Sequence, residues 1–92
     1  MYKCLKITFT AQLPKGYLQK TVQKSARDLA VEGVAQLLVD DFVKIIVCGP
    51  MEKVDDFLDN LYDEINSIEL EELQVEPFLK DRDFRGVFRV LE

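Results

Sequence analysis

The sequence predicts an α+β protein with the ferredoxin-like βαββαβ arrangement, in which two helices cover one face of an antiparallel sheet. Apolar and polar residues alternate at the start of the chain, and two later segments repeat apolar residues at helical spacing. Two further apolar runs flank a short acidic connection. The 92 residues, 48% of them hydrophobic, suffice for one packed core and are too few for two. We therefore treat residues 1–92 as a single domain.

The first strand and the first helix follow from two different apolar periods. The strand has an apolar residue at every second position: Leu5, Ile7 and Phe9. The helix has apolar residues three and four positions apart: Leu18, Val22, Ala26 and Leu29. We expect this helix to end near Gly33, and the segment AQLPKGYLQ (residues 11–19) to form the loop between strand and helix.

A hairpin is predicted in the middle of the chain. Two apolar segments, Gly33–Val39 and Phe42–Cys48, have the β-branched content that strands favour. Asp40 and Asp41 form a two-residue connection between them, which suits a tight turn even without the preferred glycine. These segments are the expected second and third strands.

The second helix and the terminal strand are predicted from breakers and composition. Gly49 and Pro50 interrupt the third strand, and proline is favoured at the first position of a helix. An apolar stripe then follows at helical spacing: Met51, Val54, Leu58, Leu61 and Ile65. At the end of the chain, Gly86–Glu92 has the β-branched and aromatic character of a strand.

A bulge or bend is predicted in the strand that follows the second helix. Ile68 and Leu70 fall in one alternation phase, whereas Leu73 and Val75 fall in the other. Because a shift of one residue exchanges the two faces of a strand, an extra residue between the two pairs restores a common face. Pro77 is expected to limit the length of this strand.

Composition excludes several classes of function. The net charge of −5 disfavours nucleic acid as a partner, and no apolar run reaches the roughly 20 residues that a membrane span needs. The N-terminal residues alternate and so do not resemble a signal peptide, which predicts a cytoplasmic protein.

Histidine is absent, which excludes Ser-His and Cys-His nucleophiles. No metal or cofactor motif is present, so we expect neither. The acidic residues that dominate residues 51–78 are interpreted as a solvated face rather than a docking site.

The two cysteines are predicted to lie on the face of the sheet that the helices do not cover. Cys4 and Cys48 are out of phase with the apolar residues of their strands. A disulfide is possible if the first and third strands pair, but free thiols are favoured because the cytosol is reducing. Phe42 and Ile46, with Tyr2, are expected to leave an apolar strip on the same face, which would suit self-association.

Three segments of the sequence resemble the acylphosphatase family. Ala26–Val34 is similar to the family's A-x-x-L-x-L-x-G-W stretch, Cys48-Gly49-Pro50 to its exit from the third strand, and Phe88-Arg89-Val90 to its closing F-x-I strand. The resemblance implies hydrolysis of carboxyl-phosphate anhydrides. It also implies a loop of the form G-R-V-Q-G-V-x-F-R after the first strand, whose backbone N–H groups and final arginine hold the phosphate. The resemblance further implies an asparagine in the second strand, which positions the attacking water in the family.

At the two positions that this resemblance makes catalytic, the sequence has different residues. Counting from Ala26, the position of the arginine holds Gln19, and counting from Gly33, the position of the asparagine holds Leu37. We therefore predict no catalytic residue. Pro14 also removes one backbone donor from the loop. An electropositive concavity remains possible, and its candidate anion-binding residues are Lys15, Gly16, Tyr17, Leu18, Gln19 and Lys20.

Three hypotheses follow for the function. The leading one is a catalytically degenerate acylphosphatase-like domain that binds a protein partner or, weakly, a small anion. The second is a true acylphosphatase of low activity that uses Lys15 or Lys20 in place of the arginine. The third is a ferredoxin-like regulatory module that dimerises through its sheet and binds a metabolite between the two subunits. The expected oligomeric state is a monomer or a weak dimer.

Overall fold

Five strands form one sheet and two helices pack on it in the computed structural model, which describes residues 1–79 and 83–92. The strands are β1 (Tyr2–Thr10), β2 (Glu32–Leu37), β3 (Phe42–Pro50), β4 (Glu71–Pro77) and β5 (Phe88–Leu91). The helices are α1 (Gln23–Leu29), which continues a π-helical turn (Leu18–Val22), and α2 (Met51–Ile65). The strand order β4-β1-β3-β2-β5 confirms the predicted ferredoxin-like fold.

The sheet is antiparallel except at one edge. β1 pairs antiparallel with β3 and with β4, and β2 pairs antiparallel with β3. β5 instead runs parallel to β2, with Gly33 opposite Phe88 and Gln36 opposite Leu91. The predicted antiparallel sheet is therefore extended at one edge by a strand that runs parallel to its neighbour.

Several predicted boundaries shift by a few residues. β3 continues through Gly49 and Pro50, so these residues do not interrupt it, and Pro50 precedes α2 instead of being its first residue. β5 begins at Phe88 rather than at Gly86.

α1 ends at Leu29 rather than near Gly33, because Ala30 adopts a left-handed φ of 56° and its N–H donates to the carbonyls of Ala26 and Arg27. β2 ends at Leu37 rather than at Val39.

The hairpin turn between β2 and β3 is confirmed. Asp40 and Asp41 both have a φ of 61°, a region that aspartate tolerates better than most residues. The N–H of Phe42 donates to the carbonyl of Val39 across them.

The predicted bulge lies in β4. Thr8 is opposite Gln74 and Thr10 is opposite Glu71, so β4 has one residue more than β1 between these pairs. Glu72, within the bulge, has a φ of 57°. Ile68 and Leu70 precede the strand, which places the phase change at its start.

The main core lies between the sheet and the helices. α2 buries Val54, Phe57, Leu61 and Ile65, whereas Met51 of the predicted stripe is 38% exposed. Phe57 contacts Phe88 of β5, with ring centroids 5.9 Å apart. Burial of these large apolar side chains is the main stabilising contribution to a domain of this size.

Cys4 and Cys48 form a disulfide, so the preference for free thiols is wrong for this structure. The two residues are directly opposite each other in the β1–β3 pairing, and their Cα atoms are 4.1 Å apart. Facing cysteines in adjacent strands can be linked without moving the backbone far. Disulfides persist mainly in oxidising compartments, so this disulfide does not support the predicted cytoplasmic location. That location stays a prediction.

The outer face of the sheet is covered where an apolar strip was expected. Ile46 is 5% exposed and Cys48 is fully buried, because Phe78 and Phe84 pack on them from the segment between β4 and β5. Tyr2 and Phe42 remain 51% and 38% exposed. The predicted strip is therefore wrong at its centre, since Phe78 and Phe84 cover Ile46 and Cys48 there.

Candidate anion-binding loop

The loop between β1 and the π-helical turn is held in shape by its own backbone. The N–H of Ala11 donates to the carbonyl of Asp41, at 3.1 Å. The N–H of Tyr17 donates to the carbonyl of Pro14, at 3.0 Å, and that of Lys20 to the carbonyl of Gly16, at 2.9 Å. Gly16 has a φ of 77°, which favours glycine, so the turn itself requires this residue.

These bonds reduce the number of donors that the loop can offer to an anion. A concavity formed by the N–H groups of Tyr17 to Gln19 was predicted, but the Tyr17 N–H already has the carbonyl of Pro14 as its acceptor. A ligand that needed this donor would have to open the turn. The candidate residues are consecutive in the chain, and the bonded Tyr17 N–H leaves them fewer free donors than the predicted concavity needs, so anion binding at residues 15–20 stays a prediction.

The two lysines of the loop differ in position. The Lys20 side chain folds over Gly16, and its Nζ would lie 3.9 Å from a Cβ placed there. Its ammonium group therefore stands beside the loop backbone, where it would favour an anion. Lys15 is exposed at the tip of the turn.

A carboxylate already lies against the loop. Oε1 of Glu92 accepts a hydrogen bond from the backbone N–H of Gln19, at 3.2 Å. Glu92 follows Leu91, which is paired with Gln36 of β2, so it lies at the end of β2 where Leu37 is located. Sequence reasoning missed Glu92, and no local signal could have identified it, since it is 73 residues from Gln19.

Gln19 and Leu37, the residues predicted to occupy the family's catalytic positions, lie on different parts of this region. The Gln19 residue is exposed at the start of the π-helical turn. Leu37 is half-buried and packs against the main core, and it is paired with Val43 of β3. The π-helical turn contacts β2. Neither residue supplies a positive charge to the loop.

Tyr17 carries a buried polar atom that the loop does not use. Within residues 1–79 and 83–92, its hydroxyl has no hydrogen-bond partner. Burial, and secondarily the negative charge of Glu64, raise the pKa of this phenol above its ordinary value of 10.0. Burial removes the hydroxyl from water, and without a hydrogen-bond partner nothing compensates for that loss of hydration, so the hydroxyl destabilises the folded state.

We expect Tyr17→Phe to raise the free energy of unfolding by about 1 kcal/mol, because it removes that cost. Because the folded state raises the pKa of this phenol, its ionisation does not affect the free energy of unfolding below pH 10 but lowers it as the pH rises through the folded-state pKa. The variant has no phenol at this position and should not show this alkaline decline. Urea unfolding at neutral and alkaline pH measures both effects. Tyr62→Phe, at a residue 41% exposed, is the control and should leave the free energy of unfolding at neutral pH nearly unchanged. A less stable Tyr17→Phe would show that the hydroxyl has a partner.

No group of three or more potential metal ligands occurs in the described part of the chain. In the same residues, no helix is both long and apolar enough to cross a membrane.

A sequence profile of the Acylphosphatase family matches residues 14–90. The chain belongs to the acylphosphatase family. The match includes the anion-binding candidates from residue 15 onward and all three segments that carry the resemblance, so the predicted family is confirmed. The assignment of Gln19 and Leu37 to the family's catalytic positions stays a prediction.

Solved structures of acylphosphatases are similar in fold to this family member. The acylphosphatase from Coxiella burnetii superposes with a TM-score of 0.78 at 19% identity, over 97% of this chain and 92% of that one. The acylphosphatase from Bacillus subtilis gives 0.79 at 15% identity over the whole of both chains. Full-length HypF, in a phosphate- and nucleotide-bound form, gives 0.77 at 14% identity, over all of this chain and 12% of that one. Proteins of curated function gave no match to the sequence.

Proposed function

We propose that this acylphosphatase-family domain does not hydrolyse acyl phosphates and acts as a binding protein, with at most weak anion binding at residues 15–20. The observation that supports this most strongly is the hydrogen bond from the Gln19 N–H to the Glu92 carboxylate. A phosphate that binds at the loop would have to displace the Glu92 carboxylate from the Gln19 N–H or lie close to it. Two negative charges at short range repel each other, which costs free energy.

The chemistry of the family's reaction strengthens the proposal. Phosphoryl transfer is catalysed mainly by positioning and by stabilising negative charge in the transition state. Gln19 offers a neutral amide in place of a guanidinium that can form two parallel hydrogen bonds. Leu37 cannot hydrogen-bond a water molecule. In HypF a region of this fold is 12% of a longer chain, so the fold also occurs as one part of a larger protein.

A weakly active acylphosphatase is the second candidate, and the position of Lys20 favours it. The Lys20 ammonium lies beside Gly16, so it would supply part of the positive charge that the missing arginine supplied. A lysine is a point charge without the planar fork of arginine, and it does not replace the amide that positions water.

Hydrolysis of benzoyl phosphate by the purified chain distinguishes the two candidates. We expect the rate to equal that of spontaneous hydrolysis, with the Bacillus subtilis acylphosphatase as the positive control. Lys15→Ala and Lys20→Ala should then change nothing. Turnover by the native chain that either lysine variant abolishes would overturn the proposal and establish the second candidate.

Glu92→Ala should strengthen binding of inorganic phosphate by about fivefold or more, because it removes the competing carboxylate from the Gln19 N–H. NMR titration with phosphate, following the backbone amides of residues 15–20, measures the affinity. Asp56→Ala removes the same charge from an exposed position of α2 and is the matched control. Equal phosphate affinities in the native chain and Glu92→Ala would mean that the Glu92 carboxylate does not compete with phosphate for the loop.

A further inference from the structure

One edge of the sheet has an open groove beside it. β5 is the last strand in the order, so it pairs with β2 on one side only. A groove of about 700 Å³ lies between this free side and α1, and its lining includes Gln23, Arg27, Val87 and Arg89. Val87 and Leu91 are 46% and 54% exposed in it. We refer to residues 87–91 and this groove as the β5 edge.

The backbone of β5 directs hydrogen-bonding groups into the groove. The N–H of Gly33 donates to the carbonyl of Val87, and Gly33 is in register with Phe88. In a parallel pair with this register, residues 87, 89 and 91 of β5 bond to β2, so the backbone groups of Phe88 and Val90 face away from it. The Gln23 side-chain amide, which donates to the Phe88 carbonyl at 3.0 Å, confirms that direction independently.

The β5 edge is basic in a chain that is acidic overall. Arg27 and Arg89 are both exposed, and the residues that line the groove include no Asp or Glu. Among the described residues, neither guanidinium forms an ion pair. Phe88 and Val90 pack toward the helices, so alternation places Arg89 on the opposite face of the sheet. Arg27 lies on the helix side, and each face of the edge therefore has one arginine.

We propose that the β5 edge binds an extended acidic segment of a partner protein, which adds a sixth strand to the sheet. Main-chain hydrogen bonds to Phe88 and Val90 would hold the segment. Successive residues of a strand point to opposite faces, so acidic side chains at positions of opposite parity would meet Arg27 on one face and Arg89 on the other. This surface is separate from residues 15–20, so the inference holds whether or not the loop hydrolyses acyl phosphates.

A partner protein fits this edge better than a second copy of the chain. Pairing of two β5 strands would bring arginines of like charge together, which is destabilising. The acidic strand β4 of a second copy would fit the charge, but a β4–β5 contact joins different surfaces, so it generates rings or open-ended filaments instead of the predicted monomer or weak dimer. Glu76 of β4 already forms an ion pair with Lys6, at 3.0 Å.

The test uses the labelled peptide acetyl-Val-Glu-Glu-Val-Glu-Glu-Val-amide as the probe, since as a strand it has glutamates on both faces, and the same peptide with lysine for glutamate as its control. We expect the acidic peptide to bind and the basic one not to bind. Hydrogen exchange measured by NMR should slow at the amides of Phe88 and Val90. The Arg89 amide, which already bonds to β2, should change little.

Charge-reversal variants complete the test. Arg89→Glu should weaken binding by about tenfold or more, whereas Lys53→Glu, the same charge change at an exposed position of α2, should leave it nearly unchanged. Protection at residues 15–20 instead of at Phe88 and Val90 would overturn the proposal, as would no binding of the acidic peptide. Concentration-dependent assembly of the chain alone that Arg89→Glu abolishes would identify a second copy as the occupant and would also overturn it.

Discussion

Gly33→Ala should lower the free energy of unfolding by about 4 kcal/mol or more, which is most of the stability of a small domain. Gly33 lies within β2, between β3 and β5, with a φ of 147° that side chains rarely adopt. A Cβ at this position would stand 1.8 Å from the carbonyl oxygen of Ile46 and 2.8 Å from its carbon. Both atoms belong to the backbone of β3, so no side chain can move aside to relieve the clash.

Gly86→Ala is the matched control for this variant. Gly86 also has a positive φ, of 70°, but no atom lies within 4 Å of a Cβ built there. Its substitution should cost only the backbone strain, about 1 kcal/mol. Urea unfolding, followed by circular dichroism, compares the two variants and shows whether Gly33→Ala folds at all. Equal midpoints would mean that β2 and β3 are not as close at Gly33 as the structure has them.

The double variant Gln19→Arg, Leu37→Asn should hydrolyse benzoyl phosphate about 10² times faster than the native chain. A single well-placed donor contributes about 10²–10³ in rate to such sites, and this variant restores both groups that the family resemblance assigns to catalysis. The backbone N–H of residue 19, which the substitution keeps, still donates to the Glu92 carboxylate in this variant. Addition of Glu92→Ala should therefore raise the rate further. Initial rates at several substrate concentrations separate the effects on kcat from those on KM.

The same two substitutions at neighbouring exposed positions provide the control. Gln12→Arg, Leu38→Asn makes equivalent chemical changes, and Gln12 and Leu38 are both exposed. It should remain at the spontaneous rate. A folded double variant that stays inactive even with Glu92→Ala would show that Gln19 and Leu37 do not occupy the catalytic positions of the family.

Local periods in the sequence were sufficient for much of the fold. A strand with one buried face must alternate, which is why Leu5, Ile7 and Phe9 revealed β1. The same argument explains the bulge in β4, since a change of alternation phase can be absorbed only by an extra residue. The fold class and the position of the loop at residues 11–19 were therefore predictable, because both depend on neighbours in sequence.

What the sequence by itself determined is thus the set of elements, their order, the family and the residues of the candidate loop. Only the tertiary structure decided which distant groups meet. It places the Glu92 carboxylate on the Gln19 N–H, and it places Phe78 and Phe84 over the disulfide. The physical reason is that periodicity records which face of a segment is buried, whereas contacts between distant residues depend on strand order and register, which no local pattern contains.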